Sequence, residues 1–168
     1  MREILFRGKR KDNGEWIEGC LSVSYDERVF IVYDEDFTLT ADCCGLHLVS
    51  DRFCEVIPET VGQFTGLPDK NGTKNFEGDV LLWGDKTAIG RNGGTKVVVE
   101  FRSGAFGIFD GKTFNEFWHY ASDKWDGQPI TDDMWGELDI AQYFRACFEV
   151  IGNIHDNPEL LERKEASK

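Results

Sequence analysis

The chain has 168 residues, enough for one domain with a sizeable core or for two small lobes, and too few for a third large domain. Hydrophobic residues make up 40% and charged residues 30%, a globular balance that excludes global disorder. The net charge of −12 repels a phosphate backbone over most of the surface, although residues 1–11 carry +4 through Arg2, Arg7, Lys9, Arg10 and Lys11 against Glu3.

Charges at Arg2, Glu3, Arg7 and Lys9 interrupt every apolar stretch near the N-terminus, so no secretory signal is read there. Later clusters such as Val80-Leu81-Leu82-Trp83 are far too short to span a bilayer, and a soluble, cytoplasmic protein is expected. Strands are predicted over 3–9 and 15–23, separated by the Asn13-Gly14 turn, and again over 28–33 and 46–57, each rich in β-branched or aromatic residues. The first strand holds the basic cluster. Arg7, Lys9, Arg10 and Lys11 could contact phosphates while Trp16 or Phe6 stacks on bases, the signature of a nucleic-acid-binding module. Charge runs usually mark solvated faces, so the simpler reading has these cations pair with the acidic body.

The five cysteines, Cys20, Cys43, Cys44, Cys54 and Cys147, read as reduced thiols, because an odd count without a secretion signal does not make a disulfide framework. A zinc site from Cys43, Cys44, His47 and Cys54 is the alternative, but adjacent cysteines diverge in a strand and no Cys-x-x-Cys pair is present. A domain boundary is placed near Pro58, which opens a turn-rich stretch. Asp69-Lys70-Asn71-Gly72 begins like a calcium loop, yet Lys74 stands where the glycine is required and Val80 where the last ligand belongs, so it is a turn.

Further strands are predicted at 79–84, 95–102, 105–109 and 147–154. In 96–102, Val97, Val99 and Phe101 share one face and Lys96, Glu100 and Arg102 the other, the pattern of a half-buried strand. Gly90-Arg91-Asn92-Gly93-Gly94-Thr95-Lys96 lacks the order and the following helix of a phosphate-binding loop and reads as a hairpin turn. Thr113 and Glu116 form a capping-box pattern ahead of Phe117, Trp118 and Ala121, which predicts a short helix over 114–122. A second helix is predicted over about 137–145, and a terminal one from Asn157 and Pro158. Glu59-Thr60-Val61-Gly62-Gln63-Phe64 and Glu149-Val150-Ile151-Gly152-Asn153-Ile154 share a pattern that reads as two glycine-interrupted strands, with bulges or close approaches at the glycines.

Candidate chemistry is sparse. His47, His119 and His155 have no partner assigned by sequence, and the single Glu116-Phe117-Trp118-His119 spacing supplies only a fraction of a di-iron site. A metal-dependent hydrolase built on His119, His155 and nearby acids is one alternative. No cofactor, metal or catalytic residue is predicted. The stretch 110–144 mixes aromatics with acids, a composition suited to a basic protein partner, and Trp125 and Trp135, set among Gly and Asp, are the candidate interface residues.

The run Pro58-Glu59-Thr60-Val61-Gly62-Gln63-Phe64-Thr65-Gly66-Leu67, continuing to Phe76-Glu77-Gly78-Asp79-Val80, resembles the YopX family. So do Phe6-Arg7-Gly8-Lys9-Arg10 with Asn13-Gly14-Glu15-Trp16, and Glu149 through Leu160, so the resemblance spans nearly the whole chain. It implies a protein encoded by a bacteriophage or prophage, and it carries no catalytic assignment with it. The expected architecture is mainly β: an N-terminal strand lobe over 1–57, a lobe of the SH3-like-barrel type over 58–157 with a helical insertion at about 113–145, and a tail over 158–168. The expected function is that of a non-enzymatic, homo-oligomeric module binding a host or phage protein. Nucleic-acid binding through the basic first strand is the main alternative.

Overall fold

The computed structural model describes residues 3–33, 38–42, 45–49, 52–84, 94–117, 124–125, 128–129 and 147–161. The fold is mainly β and divides into two compact units, Met1–Phe64 and Thr65–Lys168.

In the first unit, β1 (Phe6–Lys9), β2 (Trp16–Val23), β3 (Val29–Val32) and β6 (Phe53–Glu55) form a continuous antiparallel ladder, with β1 between β2 and the start of β7 (Gly62–Pro68). A separate hairpin joins β4 (Thr38–Asp42) to β5 (Gly45–Val49). The predicted strand 46–57 is therefore two strands, and β4 was not anticipated. The ladder closes on itself. Lys11 donates its backbone N–H to the Glu55 carbonyl, Ile57 donates to the Lys9 carbonyl, and Arg10 bridges Val56, so the segment after β6 returns to the end of β1. Closure buries Val56 and Ile31 completely, and Val56 lies so near Gly8 that a Cβ there would stand only 3.0–3.2 Å from its side chain. Strand alternation then puts Arg7 and Lys9, both half-buried, on the face opposite to Phe6 and Gly8.

The boundary between the units falls inside β7, whose first residues pair with β1. In the second unit, Asp69-Lys70-Asn71-Gly72 is the predicted turn, with Gly72 at φ 83°, and it leads to β8 (Lys74–Phe76). Asp69 is fully buried. Its Oδ1 accepts the N–H groups of Asn71 and Thr73 at 2.8 Å, and its Oδ2 accepts that of Val150 at 3.0 Å. A five-stranded antiparallel sheet follows in the order β12-β11-β10-β9-β15, formed by β9 (Asp79–Trp83), β10 (Thr95–Arg102), β11 (Ala105–Phe109), β12 (Phe114–Glu116) and β15 (Phe148–Asn153). β15 is an edge strand, and the Asp69 carboxylate together with the Lys70 N–H, which donates to the Phe148 carbonyl, covers its outer backbone groups. The core face gathers Leu81, Val97, Val99, Ile108, Phe117 and Phe148, with Trp83 stacked on Phe148 at 6.4 Å. Val97 and Val99 thus face inward as their alternation predicts, while Phe101 ends the row at the surface.

The helix predicted over 114–122 is corrected at its start, where residues 114–116 form a strand and helical backbone begins only at Phe117; of the rest of the insertion at about 113–145, only residues 124–125 and 128–129 are described. Phe114–Glu116 is β12, paired with β11 from Phe109↔Phe114 to Gly107↔Glu116. Asp110 explains why the capping box fails: its Oδ1 takes the N–H groups of Lys112 and Thr113 at 2.8 and 2.7 Å, which folds Asp110–Thr113 into a hairpin turn. Residues 124–125 and 128–129 also pair as the short strands β13 (Lys124–Trp125) and β14 (Gln128–Pro129), flanking the predicted turn Asp126-Gly127. The helix predicted over 137–145 lies outside the described residues. The terminal helix is a single 3-10 turn, Pro158–Leu160. Gly152 marks a bulge in the pairing of β15 with β9, as its position in the glycine-interrupted pattern predicts. Asn153 shapes the segment that follows by accepting the N–H groups of His155 and Asp156, each at 2.9 Å.

Candidate binding surface

The outer surface of the first unit carries most of the residues singled out from sequence. Lys9 stands opposite Trp16 in the ladder and Arg7 opposite Glu18. The Arg7 guanidinium lies 4.7 Å and the Lys9 ammonium 5.5 Å from the Trp16 ring centroid, so both cations pack on one indole. Arg10 and Lys11 are engaged elsewhere. Arg10 holds Asp12 through two hydrogen bonds of 2.9 and 2.6 Å, which raises its own pKa and keeps that carboxyl below its ordinary range. Lys11 reaches Glu55 at 2.5 Å, and Arg28 takes the other oxygen of the same carboxylate at 2.5 Å. Hydrogen bonds from Arg28 and then Lys11 lower the Glu55 pKa from its ordinary 4.5 to about 2.

The five predicted nucleic-acid contacts therefore separate into two groups. Arg7 and Lys9 meet at Trp16, whereas Arg10 and Lys11 pair with carboxylates of their own unit. The Trp16 ring that would stack on a base already packs against two cationic side chains of its own unit.

The hairpin of β2 and β3 carries features that were not anticipated. Arg28 packs 5.1 Å from the Phe30 centroid, and Phe30 meets Phe53 edge to face at 5.7 Å. Phe53 is 53% exposed, Val23 60%, and Tyr25, in the turn, is fully exposed. Ser24 braces that turn: its hydroxyl donates to Asp26 Oδ1 at 2.5 Å and accepts the Arg28 N–H at 3.1 Å, while its backbone N–H bonds the Arg28 carbonyl. The hydrogen bond from the Ser24 hydroxyl, and then one from its own backbone N–H, lower the Asp26 pKa, so the carboxylate is ionised at neutral pH. Glu27 completes the turn at φ 62°, the left-handed region that costs a residue with a Cβ. Ser24 and Asp26 are turn residues and the predicted strands 15–23 and 28–33 leave 24–27 as their connection, but the exposure of Tyr25 is visible only after folding, so the surface itself gave no sequence signal.

Trp125 lies in β13, so its backbone belongs to a strand rather than the loop inferred from its neighbours, and Trp135 lies outside the described residues. His119, Cys43 and Cys44 are also outside them. Cys20 is exposed and Cys54 and Cys147 are half-buried, and none of the three is in a disulfide. Among the described residues, no three His, Cys, Asp or Glu side chains gather into a metal-ligating group, and no helix is long and apolar enough to cross a membrane.

Residues 5–162 match the family described as YopX protein. Among solved structures, the crystal structure of protein EF1440 from Enterococcus faecalis is similar at a TM-score of 0.54 and 22% sequence identity, over 96% of this chain and 100% of that one. That degree of identity speaks to the fold alone. Among curated proteins, none matches the chain.

Proposed function

The chain belongs to the YopX family, and from that premise and the surface just described we propose a non-enzymatic phage or prophage accessory protein that acts in the bacterial cytoplasm by binding a host or phage protein, as a homo-oligomer. The observation that carries the reading is the distribution of charge and apolar surface on the first unit. Arg10 and Lys11, which a phosphate backbone would recruit, are committed to Asp12 and Glu55, while the Val23, Tyr25 and Phe53 side chains stand in solvent. Exposed rings favour a protein partner, since aromatic side chains supply contact area at low entropic cost. A net charge of −12 adds repulsion against nucleic acid and attraction for a basic protein.

Nucleic-acid binding is kept as a second reading on one observation, the convergence of Arg7 and Lys9 at Trp16. Affinity capture of the tagged full chain from its bacterial host, with and without nuclease, separates the two. A stoichiometric protein that survives nuclease is the expected result. Capture that vanishes with nuclease, and binding that falls steeply with salt, would transfer the function to the Arg7–Lys9–Trp16 surface.

A further inference from the structure

We infer that the Ser24–Arg28 turn is the docking element of the first unit, with Tyr25 as the anchor, and that its partner is a folded protein offering a ring-sized apolar pocket with a basic rim. This deepens the protein-binding reading and rests on it. The turn is a tip of defined shape, because Ser24 ties its two ends together through its backbone and its hydroxyl. Tyr25 projects fully into solvent from that tip, with Val23 exposed on the adjoining strand. The braced turn fixes the backbone beneath the ring, so only the two side-chain torsions of Tyr25 remain to be ordered on binding, a low entropic cost that makes tyrosine an effective anchor.

Charge specifies the rim of the pocket. Asp26 and Glu27 directly follow Tyr25, whereas the next cation, Arg28, makes its ion pair with Glu55 and packs on the Phe30 ring, reaching Asp26 only through its charge. The tip therefore presents two carboxylates beside an apolar ring. A basic rim around an apolar pocket complements that arrangement, and a phosphate backbone does not. Glu27 supports the same conclusion from the backbone, since glycine would fit φ 62° without strain but would supply no charge.

The test places a photo-crosslinking amino acid at position 25 of the full chain, and at the exposed position 4 as a control, in cells of the bacterial host. One protein adduct is expected at 25 and none at 4, displaced by excess wild-type protein and not by Tyr25→Ala. The crosslinked protein, once purified, should bind wild type about tenfold or more tighter than Tyr25→Ala, and should lose affinity for Glu27→Lys as well. Unchanged thermal melting of Tyr25→Ala shows that the fold survives. The absence of an adduct, the same adduct from both positions, or a nuclease-sensitive adduct would each overturn the inference. A partner from tagged capture that binds Tyr25→Ala within twofold of wild type would remove the tip while leaving the protein-binding reading in place.

Discussion

Glu55 receives Lys11 on one carboxylate oxygen and Arg28 on the other, and so ties the end of β1 and the β2–β3 turn to β6. Its pKa is lower in the folded chain than in the unfolded one. The stabilisation is therefore fully present above about pH 4.5 and is lost as pH falls through about 2. Thermal melting followed from pH 6 to pH 2 should show this loss in wild type and a flatter profile in Glu55→Gln. At neutral pH and moderate salt the substitution should lower the Tm by only about 1–3 °C, because the pair is exposed and screened. Glu27 makes the opposite prediction. Glu27→Gly relieves a left-handed φ and should stabilise the fold by roughly 0.5–1 kcal/mol, after allowing for the extra entropy that glycine loses on folding. If Glu27 serves the tip, the more stable variant should bind the partner more weakly, which denaturation and affinity measurements on one sample would separate. Asp69 is legible in part: the Asp-Lys-Asn-Gly run names the turn, but its bond to the Val150 N–H joins residues 81 apart, beyond the reach of any local pattern. Asp69→Ala would leave three N–H groups without their acceptor and should cost about 2–4 kcal/mol in denaturant unfolding, with Asp69→Asn intermediate.

At the scale of elements, reading from sequence succeeded where alternation and turn residues agreed and misplaced an element's start where one pattern had two solutions. β10 and β11 were legible to the residue, because Val97 and Val99 alternate with charged positions and the following turn contains Ser103-Gly104. Phe114, Phe117 and Trp118 fit helical spacing equally well, and only pairing with β11 decides for a strand at 114–116. Gly107 records that decision. A Cβ at this position would collide with the Asn115 carbonyl oxygen and stand 2.6 Å from Phe114 Cζ, so β12 crosses where no side chain can be accommodated. Gly107→Ala should therefore destabilise the second unit by about 2–3 kcal/mol, as overpacking against backbone does. Were residues 114–116 helical, the same substitution in a strand would be close to neutral, so the measured value discriminates the two assignments for that segment. The candidate surface was harder to read than the strands. The basic run is plain in the sequence, but whether each cation is available depends on acids elsewhere in the chain, and Glu55 is 44 residues from Lys11.

For the whole molecule, the charge of −12 makes opposite demands on the two kinds of association proposed. Copies of this chain repel one another, so a homo-oligomer must overcome like-charge repulsion that weakens as salt shortens the Debye length from about 10 Å at 0.1 M to about 3 Å at 1 M. A basic partner is attracted through the same field, and its association slows as that field is screened. Salt should therefore strengthen self-association and weaken partner binding. Light scattering of the purified chain at about 0.05 and 0.5 M NaCl measures the first, and the association rate of the captured protein over the same range measures the second. A mass that falls at high salt would mean that the copies are held by ion pairs rather than by apolar strand surfaces. A partner rate insensitive to salt would mean that the acidic body does not steer it, leaving the exposed rings of the first unit to account for recognition.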